Sequence, residues 1–420
     1  MGILTGMRVV ESSAFVAIPL AGMTLAQMGA EVIRVDRIEG GLDASRWPVT
    51  AEGRSLFWAG LNKGKKSVAV DLQSPEGREI VTQIVTAPGP DAGLFLTNLR
   101  VRGWLDYPTL SALRPDLVMV TLLGDRHGRP QVDYTVNPAV GFPDATGPEG
   151  ATTPTSHVLP AWDCIAGNMA VTALLAAERH RLRTGAGQEV VFSLKDAAAA
   201  MLGNLGIIGE VMVNGVDRPK SGNALYGGYG QDFVCADGRR VMVIGLTARQ
   251  WEGLVKATGS VEAMAALEAR LGESLGDEGA RFRHRAAITA VLAPFFAARP
   301  LDEIAPTFDK AGLTWSEFRS FARAVREDPD LGAANPMFTE LDQPGLGRFP
   351  VPGSPFAFGA MPREAPMTAP DLGEHTEEVL AEVAGLSSGH IGRLFDKGLI
   401  AGPRARTRAA AQRNSRPIAS

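Results

Sequence analysis

The order of its short apolar runs restricts the fold of this chain more than any other feature. Residues 7–11 (MRVVE) read as a buried strand, 19–30 as a helix opened by proline, and 31–36 (EVIRVD) as a second strand. A helix crossing over between two strands makes them parallel neighbours. The alternation continues with β-type runs at 67–72, 93–96 and 117–122 and helical stretches near 77–85 and 107–114. The expected fold class is therefore α/β, with a Rossmann-like, doubly wound large domain.

Beyond these runs, 137–160 is rich in Pro, Gly and Thr and reads as a long ordered loop. Residues 164–183 have helical apolar spacing and stop at Gly185. A strand at 188–194, a small-residue helix at 197–213 and a glycine-dense turn region at 220–230 follow. A hairpin is expected over 233–244 around Asp237-Gly238, then a more charged helical stretch to about Asp328. The composition shift places a smaller α+β domain at 230–328, after a large domain at 1–229. Residues 329–403, with helices at 376–383 and 388–395, are expected to return to the large domain, and 404–420 form a basic tail without apolar periodicity.

Composition narrows the function. Hydrophobic residues at 45% and charged residues at 21% fit a folded enzyme, not a disordered chain. A formal charge of -4 gives no electrostatic case for nucleic acid or an anionic membrane as partner. Cys164 and Cys235 are the two cysteines and form no CxxC, which argues against a disulfide framework or structural zinc and fits the reducing cytoplasm. No signal peptide or membrane span is expected. The turn SSAFVAIP (12–19) lacks the glycines a dinucleotide pyrophosphate requires, and GLNKGKKS (60–67) has the wrong spacing for a phosphate loop. GxSxG and HExxH motifs are absent, and His157 and His284 read as surface or hydrogen-bonded histidines, not as ligands. Neither a metal nor a cofactor is expected.

Asp163 is the acidic residue that physics alone singles out, because it follows Pro160-Ala161-Trp162 and precedes the long apolar helix. It reads as an N-cap, contributing about 1 kcal/mol. The same position suits a fixed, ionised carboxylate shielded by Trp162, as a nucleophilic aspartate requires.

Several segments together carry a resemblance. They are Gly6-Met-Arg-Val-Val, Gly29-Ala-Glu-Val-Ile-Arg-Val-Asp-Arg37, Asn62-Lys-Gly-Lys-Lys-Ser-Val-Ala-Val-Asp-Leu72, Asp163 ahead of Leu174-Leu-Ala-Ala-Glu-Arg-His-Arg-Leu-Arg-Thr184-Gly-Ala-Gly-Gln-Glu-Val-Val-Phe-Ser-Leu-Lys-Asp196, Pro352-Gly-Ser-Pro355 and Leu372-Gly-Glu-His-Thr376. In this order the chain resembles the class III, formyl-CoA transferase-like CoA-transferases over nearly its whole length. Further segments (46–50, RWPVT; 55–62, SLFWAGLN; 132–138, VDYTVNP; 157–163, HVLPAWD; 210–214, EVMVN) resemble the branch that moves CoA within one substrate, from the C1 to the C4 carboxyl of mesaconate.

The resemblance implies an acyl-CoA substrate, no cofactor besides that thioester, and an interlocked homodimer. It places the aspartyl nucleophile on Asp163 and CoA contacts on Phe15, Val16, Ala17, Arg37, Leu72, Asn98, Leu99 and Arg102, with Arg100 as alternative to Arg102. Unaided, Arg37 and Arg102 read as solvated charges. Arg46, in a branch-specific segment, is assigned to the non-reacting carboxylate, with a surface arginine as the bland alternative. Departures are also visible. Gly227-Gly-Tyr-Gly230 is shorter than the family's tetraglycine lid, and Val132 stands where racemases of this fold carry a basic histidine. An intermolecular CoA-transferase is the runner-up, followed by an acyl-CoA racemase or epimerase.

Overall fold

The computed structural model describes residues 2–403, so the basic tail expected at 404–420 lies outside the described residues. Two compact units divide the chain: Met1–Val140 with Val158–Gly209 and Asp328–Ser420, and Gly141–His157 with Glu210–Glu327.

The first unit is built on strands β1 (Arg8–Ser12), β2 (Glu31–Asp36), β3 (Lys66–Val70), β4 (Leu94–Thr97), β5 (Val118–Leu123) and β6 (Gln188–Ser193). Their spatial order is β3-β2-β1-β4-β5-β6, all parallel, and a two-residue strand, Ile400–Ala401, adds to β3 antiparallel. This is the doubly wound order. Burial on both faces explains why the central strands read as nearly unbroken apolar runs: all four residues of β4 are buried. Its helices include α1 (Ala17–Ala26), α2 (Leu56–Leu61), α3 (Pro75–Thr86), α4 (Tyr107–Leu113) and α5 (Asp133–Ala139). The short α6 (Phe142–Ala145) falls in the second unit, and α7 (Ala161–Thr184) returns to the first. Val379, Leu380, Ile391 and Leu394 of the C-terminal helices share a core with Val10, Ile33, Val68 and Phe95, each burial contributing about 1.5 to 3 kcal/mol.

Several boundaries differ from those read in the sequence. The loop expected at 137–160 contains the end of α5 and all of α6. The single helix expected at 197–213 is two, α8 (Leu194–Asn204) and α9 (Ile207–Asn214), bent by 60° where Gly206 adopts φ +76°. The helix expected from Cys164 starts at Ala161, which moves Asp163 from the cap into the first turn.

In the second unit, β7 (Gly230–Val234), β8 (Arg240–Ile244) and β9 (Thr314–Glu317) form an antiparallel sheet. Helices over the intervening stretch bury Phe296 and Phe308, and Phe233 stacks on Phe296 at 4.1 Å. This unit is larger than the domain expected at 230–328. Buried Lys220 donates to Pro143 O and Thr146 O at 3.1 and 2.6 Å, and Gly222 N–H donates to Gly147 O at 3.0 Å. A buried ammonium needs such acceptors, so the 141–157 segment is held to residues after Glu210. Among the described residues no single helix is long and apolar enough to cross a membrane.

Candidate active site

In a doubly wound sheet the crevice opens where the strand order reverses, outside the carboxyl ends of the strands. Here that point lies between β1 and β4. Asn98, just after β4, pins the loop after β1: its Oδ1 accepts from Ala14 N–H at 2.9 Å and its Nδ2 donates to Ala14 O at 2.8 Å. Thr97 Oγ1 adds a bond to Ser12 O at 2.7 Å. A cavity of about 860 Å³ opens beside these loops, lined among others by Arg37, Leu72, Arg78, Leu99, Arg100 and Trp104. Three arginines beside apolar walls suit a long ligand with phosphate and apolar parts.

A second cavity, of about 490 Å³, shares Ala14, Leu42, Asn98 and Leu99 with the first. Asp163 lines it, together with Phe15, Val16, Arg46, Phe57 and Asp133. Gly167 lets α7 come this close to the start of α1, because a Cβ there would sit 2.6 Å from Ala17 O.

The two readings of Asp163 separate in this geometry. Pro160 precedes the helix and has no side-chain acceptor. Asp133 caps it from outside: its Oδ2 accepts from the N–H groups of Trp162 at 2.7 Å and Asp163 at 3.2 Å. The carboxylate of Asp163 accepts no hydrogen bond from the described residues and faces the cavity. Burial, then the nearby negative charge of Asp133, raise its pKa to about 7, against the pull of Arg46. The Cys164 thiol is pushed up by burial and by the same two carboxylates.

Arg46 makes no ion pair among the described residues. Its guanidinium lies over the rings of Phe15 and Phe57, 5.4 and 5.2 Å from their centroids. Phe15 has φ +67°, the only non-glycine with positive φ among the described residues, a backbone cost concentrated beside Asp163.

Of the residues picked from the sequence, Phe15, Val16, Arg46 and Asp163 line the inner cavity, Arg37 and Leu72 the outer one, and Asn98 and Leu99 both. Ala17 is buried in the first turn of α1 and lines neither, because its side chain packs into the unit. Arg102 is exposed and also lines neither, whereas Arg100 lines the outer cavity. Asn98 spends an amide oxygen and an amide N–H on Ala14, so it shapes the crevice wall as well as facing it. Gly227–Gly230 belong to the second unit. Sequence reasoning missed Asp133 as the cap of α7 and Phe57 as one face of the Arg46 cage.

Known proteins resemble this chain over most of its length. The model of CoA-transferase family III matches residues 4–376. The 2-methylfumaryl-CoA isomerase of Chloroflexus aurantiacus is 55% identical over 403 residues, covering 96% of this chain and 98% of that protein. Succinyl-CoA–D-citramalate CoA-transferase of the same organism is 28% identical, covering 94% of this chain and 98% of its own. Among solved structures, a CAIB/BAIF family protein from Brucella suis superposes with a TM-score of 0.74 at 26% identity, over 91% of this chain and 99% of that one.

Proposed function

This chain belongs to CoA-transferase family III, and on that premise we propose that it is an intramolecular CoA transferase converting 2-methylfumaryl-CoA into 3-methylfumaryl-CoA. The observation that carries the reading is an uncapped carboxylate, Asp163, in a small cavity that continues a long arginine-lined one and holds an unpaired arginine. The outer cavity takes the CoA moiety, with Arg37 and Arg100 toward its phosphates. The inner cavity takes the C5 dicarboxylate.

In this scheme the Asp163 carboxylate attacks the C1 thioester carbonyl, forming a mixed anhydride and expelling CoA thiolate. The thiolate attacks the aspartyl carbonyl, breaks the anhydride C–O bond and leaves an aspartyl-CoA thioester with mesaconate as a dicarboxylate. Mesaconate then presents its C4 carboxylate to the aspartyl carbonyl, a second anhydride forms with release of thiolate, and thiolate attack at C4 yields the product and restores Asp163. One thioester replaces another, so the chemistry calls for no nucleotide, metal or redox group. Arg46 holds whichever carboxylate is not reacting, as its unpaired charge between two rings suits. Burial of Asp163 serves the same sequence, since a poorly solvated carboxylate is a stronger nucleophile than a hydrated one.

Retention of mesaconate separates this reaction from transfer between two substrates. Incubating the enzyme with 2-methylfumaryl-CoA and labelled free mesaconate tests it: C1-to-C4 conversion without label in the ester is expected, and extensive labelling would favour the intermolecular reading. The racemase reading is disfavoured by Val132, a side chain without a proton to exchange.

A homodimer belongs to the same proposal. Its support is α9, an apolar helix (IIGEVMVN) none of whose residues is buried. Light scattering of the purified chain should give twice the monomer mass, and a monomeric, active enzyme would exclude it.

A further inference from the structure

The geometry points to Arg34 and Asp43 as positioning residues that seat Arg46, and hence as determinants of whether the detached dicarboxylate stays bound. The inference rests on the proposed retention of mesaconate and extends it from the arginine that touches substrate to the buried pair beneath it.

Arg34 lies in the middle of β2 and is fully buried. It reaches the three segments whose side chains make the Arg46 cage. Toward the loop of Arg46 its Nη2 donates to Asp43 Oδ1 and Oδ2 at 2.9 and 3.0 Å. Toward the loop of Phe15 the same Nη2 reaches Ser13 O at 3.3 Å. Toward α2, which carries Phe57, its guanidinium lies 4.4 Å from the ring centroid of Trp58, and Nη1 donates to Asn62 Oδ1 at 3.0 Å. Asp36 receives the remaining Nε–H at 2.9 Å.

One planar group thus fixes the mutual placement of Phe15, Arg46 and Phe57 without touching the cavity itself, since neither Arg34 nor Asp43 lines it. Arg46 needs such support. It is exposed, stands on a loop three residues after Asp43, and among the described residues its guanidinium is held by two ring faces. Asp43 ties that loop to the buried Arg34 network from one side, and from the other the buried Ser55 at the start of α2 donates its Oγ to Arg46 O at 2.6 Å. Displacement of a substrate-binding group by about 1 Å commonly costs up to about a hundredfold in rate, so the seating of this loop is a lever on retention.

Asp43→Asn removes the charge at nearly constant shape, and Arg34→Lys keeps the charge but cannot serve Asp36, Asp43 and Ser13 together. Hydrogen exchange of residues 41–48 should quicken several-fold in both variants, and labelled mesaconate should enter the product about tenfold more per turnover. Arg46→Ala should raise that escape further, and adding Asp43→Asn to it should change escape no more, because the pair acts through Arg46. Unchanged exchange and retention in Asp43→Asn would overturn the inference, as would an equal increment in the Arg46→Ala background. If Asp43→Asn fails to fold, Arg34→Lys decides by the same outcomes. Hydrogen exchange needs no substrate, so it decides the positioning even if wild-type enzyme fails to convert 2-methylfumaryl-CoA, the result that would sink the functional reading alone.

Discussion

Two arginines about one loop apart show how differently the same side chain is used in two regions of this molecule. Arg34, inside the sheet, is surrounded by Asp36 at 2.9 Å, Asp43 at 2.9 Å and Glu11 at 3.7 Å. Burial works to lower its pKa, but those carboxylates outweigh it and hold the guanidinium firmly protonated. Arg46, at the cavity, has two aromatic faces and no carboxylate partner among the described residues. A cation whose partners are all internal fixes structure, and a cation left without one offers its charge to a ligand. The carboxylates divide the same way. Asp43 is locked onto Arg34, whereas Asp163 has been relieved of capping its own helix by Asp133.

The strongest way to break this contrast is Asp163→Asn. Loss of the nucleophile should reduce C1-to-C4 conversion by at least about 10⁴-fold, and hydroxylamine should no longer trap an aspartyl adduct by peptide mass spectrometry. The same change should stabilise the protein at pH 8. The folded-state carboxyl is raised to about 7 from 3.8, so the folded chain holds a proton that the unfolded chain has released, and stability falls as pH rises through that interval. Asparagine carries no such loss, and its Tm at pH 8 should exceed that of wild type by a few degrees. A destabilised or fully active variant would contradict the assignment.

Arg46→Ala is next in size. With the ligand's second carboxylate unpaired, kcat/KM should fall about 10² to 10³-fold, corresponding to roughly 3 to 4 kcal/mol. Because Arg46 pulls the Asp163 pKa down, its removal should also shift the acid limb of the pH profile of kcat/KM upward.

The sequence carried the sheet more clearly than the details of the site, and the reasons are physical. Buried parallel strands leave apolar runs that need no partner to be seen, so β1 to β5 emerge within a residue or two of their ends. The strand β9 (TWSE) was absorbed into a helical stretch because it is half exposed and has no apolar alternation. Asp163 could be singled out from its place beside Pro160 and Trp162, yet its freedom depends on Asp133, which caps a helix from 30 residues away. No local pattern announces a cap supplied in tertiary space. The cage of Arg46 likewise joins residues 15, 46 and 57: Phe15 was read as a CoA contact and Phe57 lay within a quoted segment, but no local pattern joins either ring to Arg46.

Asp133→Asn gives a smaller effect of opposite sign. The amide oxygen can still accept from Trp162 and Asp163 N–H, so the helix start survives, but the negative charge that raises Asp163 is gone. The acid limb of kcat/KM, expected near pH 7 in wild type, should move to lower pH while that of Arg46→Ala moves higher. The plateau rate should fall no more than about tenfold, since the nucleophile remains. An unmoved limb in both variants would mean that burial alone sets the Asp163 pKa.

The smallest effects belong to the outer cavity, where Arg37 and Arg100 are exposed to solvent, which screens their charge. Contacts made equally in the ground and transition states lower KM without changing kcat. Replacing either by Ala should therefore raise KM for the CoA thioester about three- to tenfold and leave kcat within about twofold, and raising the ionic strength to about 1 M should shrink the difference. Arg102→Ala, outside both cavities, serves as the matched control and should leave KM unchanged. If Arg102→Ala raises KM and Arg100→Ala does not, the chain after Asn98 runs differently in the liganded enzyme, and the division between an outer binding region and an inner reacting one has to be redrawn there.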